Sequence, residues 1–194
     1  GGVSKANCAK IKKCLDKALA GGKPVVYLFN SLGVRIGEGV NVLEGLAEVI
    51  SASDDLKGEV PQFSIVKGEL YGSFALLAAN ADFNLMTKDA AVAYASPFVI
   101  SAKSDKNVDK TEVGGVKASK YNSVSTIEIA DIEDAKAKIA EILSILPVTA
   151  EIVTDTDDDL NRATESLDEK FCAGCLTKAV FDNGKFIEMN AEFR

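Results

Sequence analysis

Five apolar residues in a row, Val25-Val26-Tyr27-Leu28-Phe29, stand between Pro24 and the polar pair Asn30-Ser31. An uninterrupted run of β-formers bounded in this way predicts a strand buried on both faces, as in a parallel sheet. A turn holding Gly33, Gly37 and Gly39 follows directly. Beyond it, apolar residues return at Val40, Leu43, Ala47 and Ile50, which predicts one face of a helix running to about Ser53. A buried strand that ends in a glycine turn and opens a helix leaves backbone N–H groups free at the carboxyl edge of a sheet. Such groups can bind an anion or a developing oxyanion. An ordinary βα connection has the same pattern, so one copy decides nothing.

The pattern occurs twice. Val60-Pro61 leads into Phe63-Ser64-Ile65-Val66, read as a strand ending at Lys67-Gly68. A second turn spans Gly68 to Ser73, and the nearly all-apolar helix after it, Phe74 to Ala79, is expected to be buried all round. Right-handed crossovers put both turns at the same edge of one sheet, where amides from neighbouring turns can reach one oxygen.

The rest of the chain frames these turns. A helical stripe at Cys8, Ile11, Leu15, Ala18 and Leu19 precedes the first and ends at Gly21-Gly22. Phe83–Met86 and Ala91–Tyr94 read as short strands, and the polar stretch Pro97–Ser119 reads as loop with a short helix. Val124–Ile129 reads as a strand. Asp131 caps a helix striped by Ile132, Ala135, Ile139, Ile142 and Leu146 and stopped by Pro147. The acidic run Asp155–Asp159 is read as a solvated linker, followed by a helix around Leu167–Phe181, a turn at Asp182-Asn183-Gly184, and the start of a strand at Phe186–Met189.

With 194 residues, 47% hydrophobic and 26% charged, the chain can form one substantial core with or without an appendage. Its net charge of −7 excludes a general nucleic-acid surface, which needs a basic face. No apolar run approaches the roughly 20 residues that span a bilayer. No signal peptide is visible either, so the expectation is a cytoplasmic protein without membrane insertion. With no initiating Met, the expectation is that Gly1 starts an excised domain or a cleaved product. Zero histidines remove every Ser-His-Asp and Cys-His mechanism. Cys172-Ala-Gly-Cys175 could be redox-active or half of a zinc site. Cys8 and Cys14, six apart on a predicted helix, point to different faces and complete no such site, so reduced, partly buried thiols and no metal are expected.

Several stretches resemble one family. Ser31-Leu-Gly-Val-Arg-Ile-Gly-Glu-Gly39 is similar to the SGGARIQEG motif of biotin-dependent acyl-CoA carboxyltransferases, the propionyl-CoA and acetyl-CoA carboxylase β subunits and related decarboxylases. Gly1-Gly2 with Lys10-Ile11 resembles the family's GGS…KI, Val60–Gly68 its VPQISLIMG, and Ala81–Met86 its TDFTFMV. Glu112-Val-Gly-Gly115 resembles EELGG, Asp158–Arg162 resembles DDPNR, and Phe181–Glu188 resembles DNGEFLE. The motifs keep their order and cover nearly the whole chain.

The resemblance implies an α/β fold, the crotonase (ClpP/crotonase-like) ββα superhelix. Residues 1–150 would form most of the acyl-CoA-binding N-terminal domain, incomplete at its start. Residues 151–194 would be an acidic linker, a helix and the start of the second, biotin-binding half. It further implies transfer of a carboxyl group between carboxybiotin and the α-carbon of a short acyl-CoA. Backbone amides around Gly33-Val34 and Gly72-Ser73 would stabilise the thioester enolate. Lys23, Arg35, Lys67 and Lys117 are nominated for the CoA phosphates. Arg35 could equally be a structural ion-pair partner.

Biotin would come on a partner carrier protein, because Met86 and Met189 flank no carrier lysine. Further partners would be the remaining half of the carboxyltransferase or a paralogous subunit, in a homo-oligomer, with exposed sheet edges as the means of pairing. Two departures stand out: Leu32 replaces the first motif glycine, and the family's GPCAGGA is here Gly68-Glu-Leu-Tyr-Gly-Ser-Phe74. A diverged, inactive subunit acting in assembly is therefore the alternative. A hydratase would need two carboxylates facing the substrate. Glu38 and Glu69 are the candidates, each with a competing reading as a surface or cap residue.

Overall fold

The structure, a computed structural model, describes residues 2–122, 124, 127–146, 157–159, 161 and 173–190. These residues divide into two compact units, one within 1–139 joined by Asn190, the other within 140–189.

In the first unit, Ser4 opens α1 (Lys5–Gly21) with a reciprocal capping box to Asn7, and Gly22, left-handed at φ 56°, closes it. Strand β1 (Val25–Ser31) then enters the sheet, a short 3-10 turn at Ile36–Glu38 follows, and α2 (Val40–Asp54) returns. Strand β2 (Gln62–Tyr71) feeds α3 (Ser73–Ala79), and β3 (Phe83–Thr87) and β4 (Ala91–Ala93) come next. Three short helices follow, α4 (Pro97–Ser104), α5 (Lys110–Gly114) and α6 (Val116–Tyr121), then β5 (Ile127–Ile129) and α7 (Ile132–Ile145), whose residues from Ala140 on count with the second unit.

All pairings between the named strands are parallel, in the order β1-β2-β3-β5, with β4 also on β2. Strand β2 is the shared member. Its first half pairs with β3 (Phe63↔Phe83 to Val66↔Met86) and its second half with β4 (Glu69↔Ala91 to Tyr71↔Ala93). Between the halves, the β1 register jumps from Phe29↔Val66 to Ser31↔Leu70, a bulge at Gly68, where φ is 100°. The expected turn over Gly68–Ser73 is therefore mostly strand, and the chain bends only at Gly72, because β4 supplies a ladder for residues 69–71.

One face of the sheet is covered by helices. Tyr27, Phe29, Val66 and Met86 form a core with Cys8 and Leu15 of α1, Leu46 and Val49 of α2, and Phe74 and Leu77 of α3. A buried polar knot joins three elements beside it. Gln62 Oε1 accepts from Tyr27 Oη (2.9 Å) and Ser53 Oγ (2.8 Å), while Gln62 Nε2 donates to the Ser53 carbonyl (2.9 Å). On the opposite face Phe63 stacks on Phe83 with centroids 4.9 Å apart.

That opposite cover stops short of β1. Val26 and Leu28 pair with the buried Phe63 and Ile65 yet are 51% and 64% exposed, so β1 is an edge strand buried on one face and not on both as expected. The α2 stripe also differs: Val42, Gly45, Leu46 and Val49 are buried, whereas Val40 and Leu43 are exposed. The reason is Gly45, which lies against Cys8 of α1 so closely that a Cβ there would be 2.9 Å from the Cys8 Cβ. That approach sets which side of α2 faces inward. On α3, Leu76 is half exposed while its neighbours are buried.

Pro97–Ser119 is helical more than loop. Ser96 and Asp109 cap α4 and α5 through side-chain bonds to Val99 N and Thr111 N. Gly114 fits against the Val92 backbone, and Gly115 bridges to Ala91. Asp131 Oδ1 caps α7 by accepting from Glu133 N and Asp134 N, both at 2.9 Å, as its position predicts.

In the second unit, α8 (Ala173–Val180) leads to a 3-10 turn at Asp182–Gly184. Asn183 N donates to Asp158 (2.9 Å) and Asn183 Nδ2 to Asp157 (3.0 Å), so part of the acidic run clamps the turn instead of only linking. Residues 186–189 form no strand. Cys172, Pro147, Arg162 and the first six residues of the helix expected over Leu167–Phe181 lie outside the described residues. Among the described residues, no helix is long and apolar enough to cross a membrane.

Candidate functional site: two glycine turns at the sheet edge

The two turns expected to act together are neighbours. Gly33 (φ 121°) follows β1 and Gly72 (φ 79°) follows β2, both in conformations an L side chain resists. A Cβ on Gly72 would lie 3.7 Å from Gly33 Cα, and one on Gly33 would lie 3.9 Å from the Tyr71 carbonyl oxygen. The parallel β1–β2 pairing produces this meeting by delivering both strand ends to the same edge.

The amides at the turns are not equivalent. Gly72 N donates to the carbonyls of Ala93 (3.2 Å) and Tyr94 (3.1 Å), because the β4 ladder continues one residue past Tyr71. Gly33 N reaches Ser31 Oγ at 3.4 Å, and the Gly33 carbonyl accepts from Val3 N at 2.9 Å. The Gly33 and Gly72 amides, both expected to be donors, are thus engaged within the protein. Val34 N–H and Ser73 N–H have no acceptor among the described residues. Ser73 is the first residue of α3, where an intrahelical partner is impossible, and no side chain caps that end.

The nominated cations separate. Lys23 precedes β1 at its amino end. The seven residues of β1, at about 3.3 Å each, put roughly 20 Å between Lys23 and the Gly33 turn, so the structure does not bring it to the site. Arg35 is exposed immediately after Val34, its own N–H held by the Val3 carbonyl at 2.8 Å. Lys67 is exposed at the β2 bulge, and Lys117 is exposed on α6. None of the four has an ion-pair partner among the described residues. Glu38 acts as a cap, its carboxylate accepting from Lys5 N at 2.7 Å, and Glu69 lies 3.7 Å from Lys110 Nζ.

Beside the turns is a cavity of about 450 Å³ that sequence reasoning did not anticipate. Leu32 and Tyr71, each two positions before a free amide, line it together with residues from the start of α4 and α5. Its far wall was missed because 97–119 reads as loop by hydropathy. The capping residues Ser96-Pro97 and Asp109 are the signal that could have found it.

Residues 1–193 match the model of the carboxyl transferase domain, and the chain belongs to that family. It is 32% identical over 76% of its length to the methylmalonyl-CoA carboxyltransferase 12S subunit of Propionibacterium freudenreichii subsp. shermanii, covering 28% of that protein. It is 30% identical over its whole length to the propionyl-CoA carboxylase beta chain of Roseobacter denitrificans, covering 40% of it. The chain thus spans well under half the length of these relatives. Among solved structures, transcarboxylase 12S, a hexamer with methylmalonyl-CoA and methylmalonic acid bound, superposes with a TM-score of 0.88 at 26% identity, over 99% of this chain and 40% of that one. A Pseudomonas malonate decarboxylase hetero-tetramer (TM-score 0.68, 18% identity, 74% of this chain and 57% of that one) shares the fold. The architecture is the crotonase-type α/β fold of carboxyltransferases, as the sequence motifs imply.

Proposed function

We propose that this chain is the acyl-CoA-binding part of a biotin-dependent acyl-CoA carboxyltransferase. In this reading the Val34 and Ser73 amides receive the thioester oxygen as the α-carbon becomes an enolate, and the carboxyl group moves between that carbon and carboxybiotin. The observation that carries it is the pair of unpaired donors on two glycine turns in contact. Charge meeting fixed backbone dipoles suits a chain without histidine, since no side chain has to titrate. Arg35, Lys67 and Lys117 serve the CoA phosphates, with Arg35 nearest in sequence to a free amide. Biotin supplies the activated carboxyl group from a partner carrier. Neither methionine of this chain flanks a lysine, and no residue here is assigned to its attachment. The exposed apolar residues on β1 and the turn after it (Val26, Leu28, Ile36) are covered by a second copy, in line with the hexamer of transcarboxylase 12S.

Ser73→Pro tests the amide directly. Proline is favoured at the first position of a helix and removes only the N–H. In the complete subunit, carboxyl transfer should fall about 10²–10³-fold with the folded structure retained by circular dichroism. Ser73→Ala, which keeps the amide, controls for the side chain. Unchanged transfer in Ser73→Pro would remove the oxyanion role, and a wild-type subunit with no saturable acyl-CoA binding would leave the inactive assembly role.

A further inference from the structure

Helix α4 is held by polar contacts and not by burial. Ser96 Oγ accepts from Val99 N at 3.4 Å, Ser101 Oγ accepts from Val108 N at 3.0 Å, and no residue of the helix is buried. Phe98, its second residue, is 81% exposed, lies outside the central core and makes no ring contact among the described residues. A phenyl ring that serves neither the core nor the caps has a large apolar surface left for something outside the fold to cover.

Its surroundings say what that is. Phe98 lines the cavity of about 450 Å³ with Leu32, Pro97 and Val108, and Leu32 is likewise 66% exposed and outside the core. That volume is within the range of small-molecule pockets. Leu32 stands two positions before the Val34 amide, so the cavity lies beside the point where a thioester carbonyl would be held. The charged residues of the wall already have partners. Lys110 Nζ lies 3.7 Å from Glu69 and 3.3 Å from the Asp89 carbonyl oxygen, and Asp109 accepts from Thr111 N (2.8 Å) and Oγ1 (2.6 Å). The surface that Leu32, Pro97, Phe98 and Val108 offer a ligand is hydrocarbon.

We propose that Phe98 is a specificity-determining residue. With Leu32 it walls a channel for the acyl chain, and the site selects hydrocarbon chains of butyryl or hexanoyl length over acetyl. This inference rests on the carboxyltransferase reading of the amide pair.

The test titrates the complete subunit with acetyl-, butyryl- and hexanoyl-CoA, and with free CoA as control, by calorimetry, for wild type and Phe98→Ala. Each added pair of methylenes should tighten wild-type binding about fivefold to tenfold, somewhat less than full burial of both would give. Phe98→Ala should cut each step to about twofold or less, with Tm unchanged because the ring packs on no core residue. Steps that Phe98→Ala leaves intact would overturn the proposal, and so would a lower Tm, since the ring would then serve the fold. A variant that sediments as a smaller species with its chain-length preference unchanged overturns it too, because the ring would belong to an interface. Wild-type affinity that does not grow from acetyl- to hexanoyl-CoA, each tighter than free CoA, overturns it and spares the acyl-CoA site. Wild-type binding of no thioester beyond free CoA overturns both.

Discussion

Burial first, and the neighbouring Glu69 carboxylate second, push the Tyr71 pKa up to about 12, so the side chain is neutral across the physiological range. The sign of its effect on stability follows. Below about pH 10 the tyrosine is protonated in both the folded and the unfolded chain. Between about pH 10 and 12 the unfolded chain ionises first, so stability falls as pH rises through that window. Urea midpoints measured at pH 9 and pH 11 should therefore drop less in Tyr71→Phe than in wild type. At this scale the sequence said which turns mattered but not which atoms. Spacing located Gly33 and Gly72, yet whether an amide is free depends on its neighbours. The Ala93 and Tyr94 carbonyls that occupy Gly72 N–H come from the end of β4 and the residue after it, some twenty positions away, and no local pattern reveals them.

Among the elements, α1, β1, α2, α7 and the short strands β3 and β4 were legible as elements, because their periods and caps are local properties. What failed to read was everything settled by a partner. Val40 and Leu43 look like the inner face of α2, but Gly45 admits Cys8 so closely that the helix turns Val42 and Leu46 inward instead. Gly45→Ala should make this plain. A methyl group 2.9 Å from the Cys8 Cβ cannot fit without separating α1 from α2, and overpacking of this kind costs about 1–3 kcal/mol. A lower urea midpoint at unchanged m value is the expected result. Strand β2 was read four to five residues short because Gly68 resembles a stop. In the structure it is a bulge that lets one strand pass from one neighbour to another.

For the whole molecule, the family and the crotonase-type fold were readable from the ordered motifs, each too weak alone. The open face of β1 was not, since Val25–Phe29 looks the same in an edge strand as in a central one. Together with Leu32, Ile36 and Val40, it leaves a run of large apolar side chains exposed, Ile36 at 90%. Monomeric soluble proteins seldom expose such a patch. Sedimentation velocity should show self-association of the chain, and Ile36→Lys with Val40→Lys should shift it to a smaller species without loss of helical signal. The double duty of β2 has a last consequence. The strand that floors the cavity is also the one that knits the sheet together, so a substitution there disturbs both. The helical wall around Ser96 and Phe98 contributes no side chain to the central core and is free to vary. A lineage of such chains could acquire new substrates by editing that wall while leaving its spine untouched.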